Sequence, residues 1–95
     1  MNDLKNIELL HFYVDWSGAN LIQMPEVEKL SKIIPELKIR NIDVEQDKVT
    51  ASNYKIEALP TILVIKGNEV LSKLTGVYRA EEIKQEIDAI TSDNN

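Results

Sequence analysis

Hydrophobic positions along the chain follow two different spacings, which predict strands and helices. Residues 7–14 and 61–65 are nearly continuous apolar runs rich in branched side chains, a pattern typical of buried strands. Between residues 19 and 34 the apolar positions recur every three or four residues, which is a helical period. We expect Pro25 to kink that helix, because proline removes one backbone donor. The apolar positions of this helix that are predicted to face the protein core are Leu21, Met24, Val27, Leu30 and Ile34.

The remaining pattern completes an α/β element order, β-α-β-α-β-β-α. The first two strands are joined by a helix and should therefore be parallel, with a right-handed crossover. Charged residues within the second strand indicate an edge position in the sheet, and a turn at Lys66–Glu69 predicts a hairpin between the last two strands. The predicted elements are strands at 7–14, 37–44, 61–65 and 70–75, and helices at 19–34, 47–55 and 80–90.

Length and composition indicate one domain spanning residues 1–95, with flexible ends at 1–6 and 91–95. The chain has no cysteine, which excludes disulfides and thiol chemistry. One histidine is too few for a histidine or cysteine metal site, and we expect no metal and no cofactor. A net charge of −5 argues against nucleic acid. No apolar stretch is long enough for a bilayer and the N-terminus is polar, so no membrane partner and a cytoplasmic location are expected.

Two segments resemble the active-site frame of the thioredoxin family. Residues 16–20 read Trp-Ser-Gly-Ala-Asn, where the family has Trp-Cys-Gly-Pro-Cys. Residues 54–61 read Tyr-Lys-Ile-Glu-Ala-Leu-Pro-Thr and resemble Tyr-Gly-Val-Arg-Ser-Ile-Pro-Thr, which ends in a cis-proline loop. Three further features agree in register, namely Pro25, the segment 35–45 and Gly76. The resemblance covers residues 7–90 and implies a minimal thioredoxin fold, a four-stranded mixed sheet flanked by helices, without the family's N-terminal strand and helix.

The departures from the family concern the residues that carry its redox chemistry. Ser17 and Asn20 stand at the two cysteine positions, and Ala19 stands at the proline between them. His11 aligns with the family's buried aspartate and Asn41 with the lysine that pairs with it. Since disulfide exchange needs a thiolate, the resemblance implies a redox-inactive domain with no catalytic residue.

Structural roles are the first interpretation of these polar residues. Serine and asparagine are favoured where helices begin, so Ser17 and Asn20 are predicted to cap the first helix. His11 is predicted to be buried and neutral, bonded to Asn41 or to a backbone carbonyl, with a depressed pKa. A hydrolase in which His11 activates Ser17 as a nucleophile would require the two side chains within hydrogen-bond reach. Trp16 is either an exposed rim for peptides or a lid packed on its own domain.

The resemblance implies a groove that binds proteins or extended peptide segments without needing a thiol. Its predicted partner-binding residues are Trp16, Gly18, Ala19, Leu59, Pro60, Thr61 and Gly76. A weak homodimer through the edge strand at 37–44 is a secondary expectation. Two alternatives stay open at this point. One is a thioredoxin-type disulfide oxidoreductase whose cysteines were replaced by engineering, and the other is a fragment whose missing elements come from a partner.

Overall fold

The computed structural model describes residues 4–92, and within them strands and helices follow the predicted order. The ends of the elements differ from the sequence prediction by one or two residues, because short caps and turns decide where each element stops. The four strands β1 to β4 span Ile7–Tyr13, Lys38–Asp43, Thr61–Lys66 and Glu69–Thr75, and the three helices α1 to α3 span Gly18–Ile33, Lys48–Asn53 and Ala80–Ser92.

The strands form one four-stranded mixed sheet in the order β2-β1-β3-β4. Strand β1 is parallel to β2 and antiparallel to β3, and β3 is antiparallel to β4. The predicted edge position of β2 is therefore confirmed. In the register, Phe12 lies opposite Thr61 and Thr61 lies opposite Thr75, so β1, β2 and β4 end where β3 begins. We call this the loop end of the sheet.

The two faces of the sheet are covered unequally. Helices α1 and α3 pack on the first face, which we call the two-helix face, with Leu9, Leu30 and Ile83 at its centre. The short helix α2 packs on the opposite face, which we call the one-helix face. The buried residues of this second face are Leu10, Phe12, Ile42, Leu63 and Ile65, and the partly buried residues against them are Val44, Ala51, Tyr54 and Ile56.

The predicted apolar stripe of α1 is wrong in its first turns. Leu21 is 77% exposed, whereas Gln23 is fully buried. The Gln23 amide nitrogen donates to the Tyr78 carbonyl at 2.9 Å, and its amide oxygen accepts from the Tyr78 N–H at 2.8 Å. Because both ends of this amide are paired, the polar side chain can occupy an interior position at little cost.

Both ends of the described chain are attached to the core. Leu4 is partly buried against the two-helix core, and α3 continues to Ser92, so Thr91 and Ser92 are helical rather than part of a tail. The predicted flexible ends also include residues 1–3 and 93–95, which lie outside the described residues. Within residues 4–92, no helix is long and apolar enough to cross a bilayer.

Candidate functional site

The sheet register brings four loop segments to the loop end. The loop after β1 carries Trp16, the loop after β2 carries Glu45, the loop before β3 carries Pro60, and the loop after β4 carries Gly76. The Gly76 N–H donates to the Pro60 carbonyl at 2.9 Å, which ties two of these loops together. Gly76 has a φ of +102°, a backbone conformation that favours glycine. Segments far apart in sequence thus form one surface.

Trp16 is the most prominent apolar residue of this surface. Its side chain is 73% exposed, and its indole N–H donates to a Glu45 carboxylate oxygen at 3.1 Å. A side chain packed as a lid on its own domain would be largely covered, so that alternative is wrong. The indole is instead an exposed rim, held in place at one end by the carboxylate.

The loop before β3 presents one residue outward and buries the next two. The peptide bond between Leu59 and Pro60 is cis. Leu59 is 37% exposed, whereas Pro60 is buried and Thr61 is 1% exposed. The Thr61 hydroxyl donates to the Ala58 carbonyl at 2.6 Å. Pro60 and Thr61 therefore support the loop from below, and Leu59 is the side chain that a partner could touch.

The backbone of Leu59 is open as well. Within residues 4–92, neither its N–H nor its carbonyl takes part in a hydrogen bond. An exposed residue with an unpaired donor and an unpaired acceptor is able to pair with an extended peptide, as the edge of a sheet does.

The start of α1 confirms one of the two predicted caps. Ser17 is the N-cap residue, and its hydroxyl oxygen accepts from the Ala19 N–H at 3.2 Å. Asn20 lies in the first turn of the helix, and its side-chain oxygen is buried without a partner among the described residues. The capping prediction for Asn20 is therefore wrong, because the helix begins before it. Gly18 is exposed and Ala19 is half-buried on the same turn.

His11 lies beneath this surface, on the two-helix face. Its Nδ1–H donates to the Asn41 side-chain oxygen at 2.8 Å, and its ring stacks on Tyr13 with centroids 5.2 Å apart. Burial lowers the pKa of His11, and the hydrogen bond with Asn41 offsets part of that effect. Asn41 itself is exposed, because it lies on edge strand β2. The predicted buried pair is thus correct for His11 and wrong for Asn41.

The Ser17–His11 catalytic pair is not formed. The Ser17 hydroxyl is engaged at the helix start, and the other ring nitrogen of His11 is buried without a partner among residues 4–92. A serine nucleophile requires a base within hydrogen-bond reach. Within the same described residues, no three histidine or acidic side chains are grouped as a metal site requires.

Sequence reasoning missed an open cavity of about 560 Å³ beside Leu59. It lies between α2 and the loop before β3, and Leu59 belongs both to this cavity and to the exposed surface. Its residues come from separate segments, so no local pattern could group them. Two lining residues differ in charge from the resembling family motif, since Lys55 stands where the motif has glycine and Glu57 stands where it has arginine. The cavity is lined by Val44, Lys48, Ala51, Ser52, Lys55, Ile56, Glu57 and Leu59.

Comparison with known proteins agrees with this architecture. A family model described as Thioredoxin matches residues 1–89. The chain is 27% identical over 86 residues to the thioredoxin H-type of Ricinus communis, covering 90% of this chain and 72% of that protein. It is 32% identical over 84 residues to the thioredoxin of Bacillus subtilis strain 168, covering 87% and 80%. The X-ray structure of Fasciola hepatica thioredoxin matches with a TM-score of 0.80 at 27% identity, covering 88% and 80%. The chain belongs to the thioredoxin family.

Proposed function

We propose that this protein is a redox-inactive thioredoxin-like domain that binds extended segments of other proteins at the loop end. The observation that carries the proposal is Leu59, which is exposed and has an unpaired backbone N–H and carbonyl at the same end of the sheet as Trp16. A partner segment would pair with that backbone and pack its side chains against the exposed rim. Gly18, Ala19 and Gly76 leave room for its backbone because their side chains are small or absent.

The absence of redox activity follows from chemistry rather than from shape. Attack on a disulfide requires a thiolate and a second thiol that resolves the mixed intermediate. The hydroxyl of Ser17 and the amide of Asn20 can do neither. An oxidoreductase altered only at its cysteines would keep the family's buried charged pair, yet His11 and Asn41 stand there instead. We therefore place the engineered-enzyme alternative second.

A binding experiment with matched variants tests the proposal. Short unstructured peptides of varied sequence are screened against the protein, and the tightest binder is added to ¹⁵N-labelled protein for NMR shift mapping. We expect shifts at the Trp16 indole and at the Leu59 and Gly76 amides, and weaker binding by Trp16→Ala. Val70→Ala is the control, since Val70 is an exposed apolar residue at the opposite end of the sheet.

Two results would reject the proposal. The groove hypothesis is rejected if the NMR shifts map away from the loop end. It is also rejected if Trp16→Ala and Val70→Ala weaken peptide binding equally. Measurable turnover in an insulin-disulfide reduction assay, above a blank without protein, contradicts the redox half.

Two finer statements accompany this function. We infer that β2 supports a weak homodimer, because its basic residues Lys38 and Arg40 precede Asp43 and Glu45, and antiparallel pairing sets the basic half of one copy beside the acidic half of the other. Sedimentation as a monomer at high protein concentration would refute it.

We also infer a cytoplasmic location, since a chain without cysteine needs no oxidising compartment. Secretion of the tagged protein would contradict that location.

A further inference from the structure

We propose that the cavity beside Leu59 is the specificity pocket of this binding surface, and that it takes an apolar side chain from an extended partner segment whose neighbouring residues are acidic. The inference rests on the proposed function, because the same segment is held by the backbone of Leu59. It adds a statement about which segments bind and about the residues that select them.

The floor of the cavity is apolar and already positioned. Val44, Ala51 and Ile56 are partly buried against the core of the one-helix face, and each turns part of its surface to the cavity. Leu59 forms the side nearest to the exposed backbone. A side chain from a segment paired with that backbone has the cavity within reach, and burying it there removes apolar surface from water.

The charged rim of the cavity is mostly basic. Lys48 and Lys55 line it, and within residues 4–92 neither forms an ion pair. Asp47, next in sequence to Lys48, is engaged by the N–H and hydroxyl of Thr50 at 3.1 and 2.7 Å. The two lysines carry positive charge at an apolar cavity in a chain of net charge −5, and they complement acidic residues. Glu57 is the one carboxylate that lines the cavity, and it opposes them.

Lys55 is a residue of unusual backbone conformation. Its φ is +56°, and it follows the C-terminal cap of α2. The N–H of Lys55 donates to Ser52 and the N–H of Ile56 donates to Ala51, both at 3.0 Å, which is the bonding pattern of a Schellman motif. That motif explains the conformation and favours glycine at this position. A lysine at this position destabilises the backbone relative to glycine, and it places a positive charge at the cavity.

The test compares three fluorescein-labelled peptides that share a Leu-Val-Leu centre and differ only in flanks of glutamate, glutamine or lysine. Binding is measured by fluorescence anisotropy at low and high salt. The variants are Lys48→Gln, Lys55→Asn, Glu57→Gln and Trp16→Ala, with Lys66→Gln as control. Asparagine tolerates the left-handed backbone, so Lys55→Asn removes the charge without disturbing the helix end. Lys66 is an exposed lysine at the opposite end of the sheet.

We expect the glutamate-flanked peptide to bind most tightly and its advantage to shrink at high salt. Each loss of a cavity lysine should weaken its binding by about two- to fivefold, the usual value of an exposed ion pair. Glu57→Gln should strengthen it, and Lys66→Gln should leave it unchanged.

Several outcomes overturn the inference, and they are distinguishable. Equal binding of all three peptides, still weakened by Trp16→Ala, removes the charge selection and leaves the proposed function standing. Tighter binding of the lysine-flanked peptide does the same. Binding of none of the three peptides, while the peptide found in the screen still binds at the loop end, overturns the inference and leaves the proposed function standing. If the protein self-associates and Lys48→Gln abolishes that association, a second copy of this chain occupies the cavity. This result would overturn the inference that a segment of another protein binds there.

Discussion

The two faces of the sheet have different amounts of cover, and we expect the difference to separate residues that stabilise the fold from residues that contact a partner. On the two-helix face, α1 and α3, with 16 and 13 residues, bury a cluster of eleven residues. On the one-helix face, α2 has six residues over a cluster of five. A short helix covers less of the sheet, and the residues around it stay partly open to solvent. Val44, Ala51 and Ile56 therefore belong both to a core and to a cavity.

This comparison gives a physical reason for the position of the proposed pocket. An apolar residue that is only partly buried loses more water contact when a partner covers it, whereas a fully buried residue gains nothing from a partner. Residues of the two-helix face should therefore determine the free energy of unfolding. Residues of the one-helix face near α2 should contribute less to stability and more to binding.

The largest expected effect separates Leu30→Ala from Ile56→Ala. Leu30 is fully buried between α1 and the sheet, so removing its side chain should lower the free energy of unfolding by about 3 kcal/mol. Ile56 is only partly buried, and its truncation should cost about 1 kcal/mol. Urea unfolding followed by circular dichroism measures both.

The same pair should reverse its order in peptide binding. We expect Ile56→Ala to weaken binding of the glutamate-flanked peptide, and Leu30→Ala to leave it unchanged under conditions where the variant is folded. Equal stability losses, or a binding loss confined to Leu30→Ala, would show that the two faces do not divide these tasks.

Sequence patterns predicted the strands and helices because periodic burial determines them. The apolar runs of β1 and β3 and the helical spacing of α3 reflect faces that must leave water. The four-stranded mixed sheet was implied by the resemblance to the thioredoxin family. Gln23 and Asn20 were not predictable in the same way. Gln23 is buried in the first turns of α1 against a segment that is distant in sequence, whereas Asn20 is half-buried and only its side-chain oxygen is enclosed. A buried polar side chain in a helix shows itself only when its partner, here the backbone of Tyr78, is known.

The candidate site was predicted in its loops but not in its charges. Trp16 and the Leu59–Thr61 segment could be found by resemblance, since each is a local motif. The lysines that line the cavity come from both ends of α2, and Lys55 departs from the family's glycine. Only the three-dimensional arrangement places them beside Leu59. Local motifs thus predict the position of the candidate site, and the tertiary structure is needed to propose what it binds.

The next effect concerns the one histidine of the two-helix face. Burial lowers the pKa of His11 below its ordinary value of 6.5, so the unfolded chain binds a proton more readily than the folded one. The contribution of His11 is fully present above pH 6.5 and is lost as the pH falls below that value towards the folded pKa. The slope can reach about 1.4 kcal/mol per pH unit.

Two measurements check this pH dependence. NMR titration of the His11 ring should give a pKa below 6.5, and urea unfolding should show lower stability at pH 5.5 than at pH 7.5. His11→Asn should flatten that difference. Hydrogen bonds from Thr50 and Lys29 lower the pKa values of the Asp47 and Glu81 carboxyls. These two groups change the stability only when the pH falls below their ordinary pKa values of 3.8 and 4.5, so they do not affect this comparison. A His11 pKa above 6.5 would contradict the burial argument.

The smallest expected effect is the most specific to the one-helix face, because it has opposite signs at the two cavity lysines. Lys55→Gly should raise the free energy of unfolding by about 0.5 kcal/mol, since glycine adopts the positive φ without strain but gains entropy when unfolded. Lys48→Gly, at the first residue of α2, should lower it by about 0.5–1 kcal/mol. Both variants should weaken binding of the glutamate-flanked peptide. If Lys55→Gly gains stability and keeps full affinity, the lysine has no binding role that offsets its backbone cost.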